Sequence, residues 1–212
     1  MVRETGEGVR KVKPGDRVLL SWIKGSGADV PGTVYDWNGR AVNAGGITTF
    51  SRQAVISENR LTPLPQDVDL RAAALLGCAV PTGLGMVFNT LKPSPGQSLA
   101  VFGAGGIGLC AIQGAAICGC TPVIAVDVLE SKLDTAMRIG ATHRVNPAEE
   151  DVAQAVRAIC PQGLDCAVEA SGRPQVMAQA LSCVRNQGGR VAVAGNAPFG
   201  ESLVLDPGEL NK

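Results

Sequence analysis

The strongest constraint on this chain is the stretch Ser98-Leu99-Ala100-Val101-Phe102-Gly103-Ala104-Gly105-Gly106-Ile107-Gly108, a short apolar run that ends in G-x-G-x-x-G. The next apolar run, residues 122–126, closes on Asp127, nineteen residues past Gly108. This order reads as strand, tight turn, helix, strand. Gly103 turns the chain sharply, Gly105 leaves room for a pyrophosphate, and Gly108 lets the helix lie close on the strand. The helix beginning at Gly106 and Ile107 turns free N–H groups and a positive dipole end toward the phosphates. Asp127 is spaced to accept both hydroxyls of an adenosine ribose. A 2′-phosphate, carrying about −1.5 to −2 charges, would be repelled there. Val128 follows it where an Arg would neutralise that charge. The pattern predicts a dinucleotide site that favours NAD over NADP.

Composition narrows the remaining possibilities. Nineteen Lys and Arg balance nineteen Asp and Glu, which gives no electrostatic basis for binding nucleic acid or an anionic membrane. Seven cysteines, an odd number with no signal peptide ahead of them, point to free thiols and a cytoplasmic setting. Residues 72–91 and 96–126 carry no charge and are long enough to span a bilayer. Pro81 with Gly77, Gly83 and Gly85 breaks the first, while Pro122 and the glycine cluster break the second. Both read as buried elements of a soluble fold.

Toward the N-terminus, Pro14-Gly15-Asp16 is a turn leading into a strand at Arg17-Val18-Leu19-Leu20. Residues 21–46 suggest a long loop or short hairpins, residues 48–56 a further β-rich run, and Asp67 and Asp69 the first turn of a helix. Pro93-Ser94-Pro95-Gly96 marks a boundary between a β-rich domain, 1–95, and a second domain, 96–212. Past that boundary strands are expected at 142–145, 165–169 and 190–194. They alternate with helices whose apolar faces carry Leu129, Leu133, Ala136 and Met137; Val152, Ala155, Val156 and Ile159; and Val176, Ala180 and Val184. Such alternation implies an α/β fold with a doubly wound parallel sheet and ligand-binding residues at the carboxyl ends of its strands. Asp127, Glu169-Ala170-Ser171-Gly172 and Gly195-Asn196 fall at such ends.

Five stretches together carry a family resemblance: Val12-Lys13-Pro14-Gly15-Asp16-Arg17-Val18, Gly77-Cys78-Ala79-Val80-Pro81-Thr82-Gly83, the glycine run, Gly140-Ala141-Thr142 with Val145-Asn146-Pro147, and Val168-Glu169-Ala170-Ser171-Gly172. In this order they resemble the zinc-type alcohol dehydrogenases of the medium-chain dehydrogenase/reductase family. The resemblance implies a partial GroES-like catalytic domain ahead of a Rossmann domain, and hydride transfer from an alcohol or polyol to NAD. It also implies that Cys78 matches a catalytic zinc ligand and that Thr82 and Ile107 lie near the nicotinamide. Asp127 and Lys132 match the pair that holds the adenosine ribose, and Gly195 and Asn196 the turn beside the carboxamide.

Departures from the family pattern are equally informative. The first zinc cysteine, the Gly-His-Glu ligand segment and the proton-relay hydroxyl of the family lie upstream of the Gly6-Glu7-Gly8-Val9 turn. No cysteine precedes Cys78, and Lys24-Gly25-Ser26-Gly27-Ala28-Asp29 stands where a structural zinc lobe belongs. The structural zinc is therefore expected to be absent. The family's last Rossmann strand, a common dimer seam, is also missing, so the chain reads as an internal piece of a longer family member, with a homo-oligomer as its expected assembly. The second functional reading is a catalytically silent dinucleotide-binding fragment. Apart from the resemblance, Cys78 reads as a small buried hydrophobe, and His143, Cys118 and Cys120 as structural residues. Lys132 reads either as the ribose partner or as an exposed helix charge. Glu169 reads either as a general base or as a strand-end carboxylate satisfied by loop N–H groups.

Overall fold

The computed structural model describes residues 1–43, 45–206 and 208. The chain divides into two compact units, Met1–Cys78 and Ala79–Lys212.

In the first unit β1 (Val18–Leu20) pairs antiparallel with β4 (Leu61–Pro63). A hairpin joins β2 (Val34–Trp37) to β3 (Arg40–Asn43). Its turn is Asn38-Gly39, with φ of 52° and 77°, the left-handed pair that an Asn-Gly hairpin turn requires. Glu58 fastens this unit: Oε1 accepts the amides of Arg10 and Lys11 at 2.7 and 2.5 Å, and Oε2 that of Ala28 at 2.8 Å. Asp69 caps α1 (Leu70–Ala73), accepting the Arg71 amide at 2.9 Å. The β-rich run expected over residues 48–56 forms no strand. Phe50 and Val55 are exposed there, so the apolar alternation has no face on which to be buried.

The second unit opens with α2 (Ala79–Gly85) and a π-helical segment, Met86–Leu91. Then β5 (Leu99–Phe102), α3 (Gly106–Ile117), β6 (Val123–Val126), α4 (Glu130–Ile139) and β7 (His143–Val145) alternate. The alternation continues through α5 (Val152–Ile159), β8 (Cys166–Glu169), α6 (Pro174–Cys183) and β9 (Arg190–Val193). The five strands are parallel in the order β7-β6-β5-β8-β9, which places the switch point between β5 and β8. Leu99, Val101, Val123, Ala125, Cys166 and Val168 face α3 and α4. On the other face, Ala100, Phe102, Ile124, Val126 and Ala167 meet α5 and α6. Alternate residues of one strand thus serve two cores, as a sheet covered on both faces demands.

The boundary between the units lies earlier than the Pro93–Gly96 turn suggested. The segment from Ala79 to Leu91 belongs to the Rossmann unit because α2 packs on α3 at glycine distance. A Cβ on Gly83 would stand 2.3 Å from the Ile107 carbonyl and 2.6 Å from Cys110 Cβ. Among the described residues, no single helix is long and apolar enough to cross a membrane.

Candidate dinucleotide-binding site

Register brings the carboxyl ends of three strands level: Phe102 pairs with Val126 on one side and Glu169 on the other. The glycine turn leaves β5 at this level, and its three glycines meet three different surroundings. Gly103 has φ of +96°, and a Cβ on it would lie 2.9 Å from the Ser171 amide nitrogen. On Gly108 a Cβ would lie 1.8 Å from the Gly103 carbonyl, so the first turn of α3 can close on the strand only without one. Gly105 is the opposite case: a Cβ there would meet nothing within 4 Å. Gly105 is also the N-cap of α3 and offers no side-chain acceptor, while Gly106, at the first helical position, is exposed. The first amides of α3, from Gly106 to Gly108, have no carbonyl one turn back to bind, and the open space at Gly105 lies beside them, the arrangement that receives an anion.

Asp127 follows β6 directly and is 8% exposed. Its Oδ2 accepts the Ala104 amide at 2.8 Å and its Oδ1 the Leu129 amide at 3.0 Å, while Lys132 Nζ stands 3.5 Å from Oδ2. The carboxylate is thereby oriented by the glycine turn on one side and by the entry to α4 on the other. Lys132, whose side chain remains partly exposed on α4, forms this ion pair with Asp127.

Across the switch point, Glu169 Oε1 accepts the Ser171 amide at 2.7 Å, the Ser171 hydroxyl at 2.5 Å and the Gly172 amide at 3.0 Å. The reading of Glu169 as a carboxylate satisfied by loop donors holds for that oxygen; Oε2, also buried, has no hydrogen-bond partner. Gly195 and Asn196 pack on the same loop: a Cβ on Gly195 would lie 2.1 Å from the Gly172 amide nitrogen, and one on Gly172 would lie 2.8 Å from the Asn196 carbonyl. Thr82 is half-buried on α2, beside Gly83 and its contact with Ile107.

Cys78 belongs to the first unit. It follows the 3-10 turn Ala74–Gly77, donates its amide to the Leu75 carbonyl at 3.5 Å, and is exposed, not the buried hydrophobe that its apolar surroundings suggest. No group of three or more His, Cys, Asp or Glu able to hold a metal occurs among the described residues. A catalytic zinc needs three protein ligands and an open position, so the described residues do not fit one. His143 is exposed on β7, its Nδ1 2.8 Å from the Thr142 hydroxyl. Cys120 is buried and its thiol pKa is pushed up to about 11, first by burial and then by Cys118, Cys166 and Asp165.

Sequence reading missed three partners that orient the acids: the Ala104 and Leu129 amides on Asp127, and the Ser171 hydroxyl on Glu169. For Ser171 a signal was present, a hydroxyl two residues past a strand-end acid, which is the spacing of a side-chain-capped turn.

Residues 106–211 match the family model described as zinc-binding dehydrogenase. The chain is 32% identical to an alcohol dehydrogenase class-3 of Pisum sativum, over 99% of this chain and 63% of that protein. It is also 32% identical to an S-(hydroxymethyl)glutathione dehydrogenase of Synechocystis, over 99% of this chain and 64% of that one. The solved benzyl alcohol dehydrogenase of Acinetobacter calcoaceticus superposes with a TM-score of 0.80 at 30% identity, covering 95% of this chain and 61% of that structure. The chain therefore spans less than two thirds of the length of these relatives. A parallel sheet with its glycine turn and strand-end acid in place, joined to these matches, makes the chain a member of the zinc-type medium-chain alcohol dehydrogenase family.

Proposed function

We propose that the second unit binds NAD and that, with a complete zinc ligand set, the activity it serves is the NAD-linked oxidation of an alcohol. The observation that carries this reading is the Asp127 carboxylate, held at 2.8 Å by the Ala104 amide beside the open space over Gly105. Asp127 would accept the adenosine ribose hydroxyls, and Lys132 would offer them a donor. The amides at Gly106, Ile107 and Gly108 would take the pyrophosphate. On the far side of the switch point, the Gly172 and Gly195-Asn196 loops, with Thr82 and Ile107, would bound the nicotinamide end. Bound there, NAD supplies the hydride acceptor, and the protein contributes alignment and electrostatics. The alcohol class is supported by the names of the relatives; the family resemblance further supports Cys78 as a zinc ligand of a complete catalytic site.

Titration by NADH and NADPH fluorescence tests the cofactor. Tighter NADH binding is expected, and equal affinity would overturn the assignment. The second reading, a silent dinucleotide-binding fragment, is favoured by one observation: among the described residues Cys78 has no two further donors beside it. NADH production from a panel of primary alcohols, secondary alcohols and polyols separates the two readings.

Two broader expectations accompany this reading. The half-exposed Val193 on β9, the edge of the parallel sheet, supports a homo-oligomer formed along that edge. Seven free cysteines support a reducing, cytoplasmic setting.

A further inference from the structure

Strand order fixes where each part of an extended dinucleotide would lie. Asp127 at the end of β6 marks the adenosine side and the glycine turn at the end of β5 the pyrophosphate. What remains of the molecule must cross the ends of β8 and β9. Two loops form that floor, Ala170-Ser171-Gly172 after β8 and Gly195-Asn196 after β9. They are packed on each other too closely for a side chain at either glycine.

One buried group ties them together. Glu169 is 0% exposed. Its Oε1 gathers three hydrogens from Ser171 and Gly172, and its bare Oε2 would lie 2.8 Å from a Cβ on Gly195. The same residue's carbonyl accepts the Ala194 amide at 2.8 Å, so side chain and backbone together hold the chain before Gly195. An unpartnered oxygen of a buried carboxylate is costly to keep, and this one is kept against the β9 loop. The phosphate turn has anchors of its own: the Gly103 amide to the Val126 carbonyl, Ala104 to Asp127, and the Leu109 amide to the Gly105 carbonyl.

We propose that Glu169 is a positioning residue for the nicotinamide end of the cofactor, setting the Gly172 and Gly195-Asn196 loops at the distance that end requires. The inference rests on the NAD reading. It separates the two halves of the ligand: loss of the carboxylate loosens the floor under the nicotinamide and leaves the adenosine and pyrophosphate contacts in place.

Calorimetric titration of the chain and its Glu169→Gln variant with NADH and with ADP-ribose, which lacks the nicotinamide ring, tests it. The variant is expected to lose about tenfold in NADH affinity, the scale of one charge-assisted hydrogen bond, while ADP-ribose affinity stays within about twofold. Equal losses for both ligands, or no loss for either, would overturn the proposal. Should Glu169→Gln fail to fold, Ser171→Ala removes one of the three donors and is expected to lower the same ratio by about twofold to threefold; an unmoved ratio overturns the proposal. If the unmodified chain binds neither ligand, the NAD reading fails and this inference falls with it. If it binds both and only the ratio is unmoved, the NAD reading stands.

Discussion

Asp127 Oδ2 accepts the Ala104 amide hydrogen at 2.8 Å, so the acid that ends β6 also fixes the turn that ends β5. On the NAD reading, ribose recognition and phosphate recognition would thus share one carboxylate. Asp127→Ser is expected to lower NADH affinity by about 1.5–3 kcal/mol, the range for a hydrogen bond to a charged group. NADPH should lose less, because the substitution also removes a repulsion, and the gap between the cofactors should narrow. Fluorescence titration of both reads this directly; an unchanged ratio would remove Asp127 from cofactor choice.

Gly105 and Gly108 are three residues apart and should respond oppositely to a side chain. At Gly105 the backbone sits at φ −80° and ψ −168°, open to any residue, and a Cβ meets nothing within 4 Å. Gly105→Val should keep the fold and its melting temperature while costing about 3 kcal/mol of NADH binding, over a hundredfold. At Gly108 a Cβ would stand 1.8 Å from the Gly103 carbonyl. Gly108→Ala should therefore destabilise the unit itself, by about 1–3 kcal/mol or more. A Gly105→Val protein that binds NADH normally would show that the space over this turn is not the pyrophosphate site.

Local periodicity carried most of the Rossmann unit. Each expected strand from β5 to β9 is present to within a residue or two, because strands buried on both faces are continuously apolar and the helices between them repeat at 3.6 residues. Leu129 shows the limit of that reading. Expected on the buried face of α4, it is instead the exposed N-cap, since periodicity does not mark where a helix begins. The place of α2 was hidden for a different reason. Its contact with α3 depends on a Cβ that Gly83 lacks, and a run broken by glycine and proline reads locally as a linker. Asp127 and the glycines could be found by spacing alone. The Leu129 bond to Asp127 is a local contact two residues on, but the Ala104 bond could not be found by spacing, because it arises only when β5 and β6 lie in register.

At the end of the sheet opposite the candidate site, Ser98 donates its amide and hydroxyl to Asp165 Oδ2, each at 2.9 Å, and Arg185 Nε pairs with Oδ1 at 2.9 Å. Burial works against the Asp165 charge, yet these partners outweigh it and hold its pKa below the ordinary 3.8. Because the native pKa is the lower one, this stabilisation is complete above the unfolded value and is lost as pH falls through the native value. Denaturant midpoints should therefore drop below about pH 4. Ser98→Ala should cost about 1–2 kcal/mol at neutral pH and flatten that decline. An acid profile identical to that of the unmodified chain would count against the role of this cluster.

Zinc is the sharpest test of what the chain does alone. Cys78 is exposed, its amide bonded only within its own turn, and no group of three donors gathers among the described residues. A single thiolate does not hold zinc against water and buffer, since stable sites use three or four protein ligands. Purified chain is therefore expected to carry well under one zinc per molecule, and Cys78→Ser should leave both metal content and NADH affinity unchanged. Alcohol turnover should be absent as well. An alcohol hydroxyl that no metal polarises is scarcely ionised at neutral pH, and each pKa unit left uncorrected is tenfold in rate, about 1.36 kcal/mol. Metal analysis paired with NADH production from a panel of alcohols reads both halves. Stoichiometric zinc that disappears in Cys78→Ser together with turnover would mean that other residues complete the ligand set, and the catalytic reading would then displace the silent one.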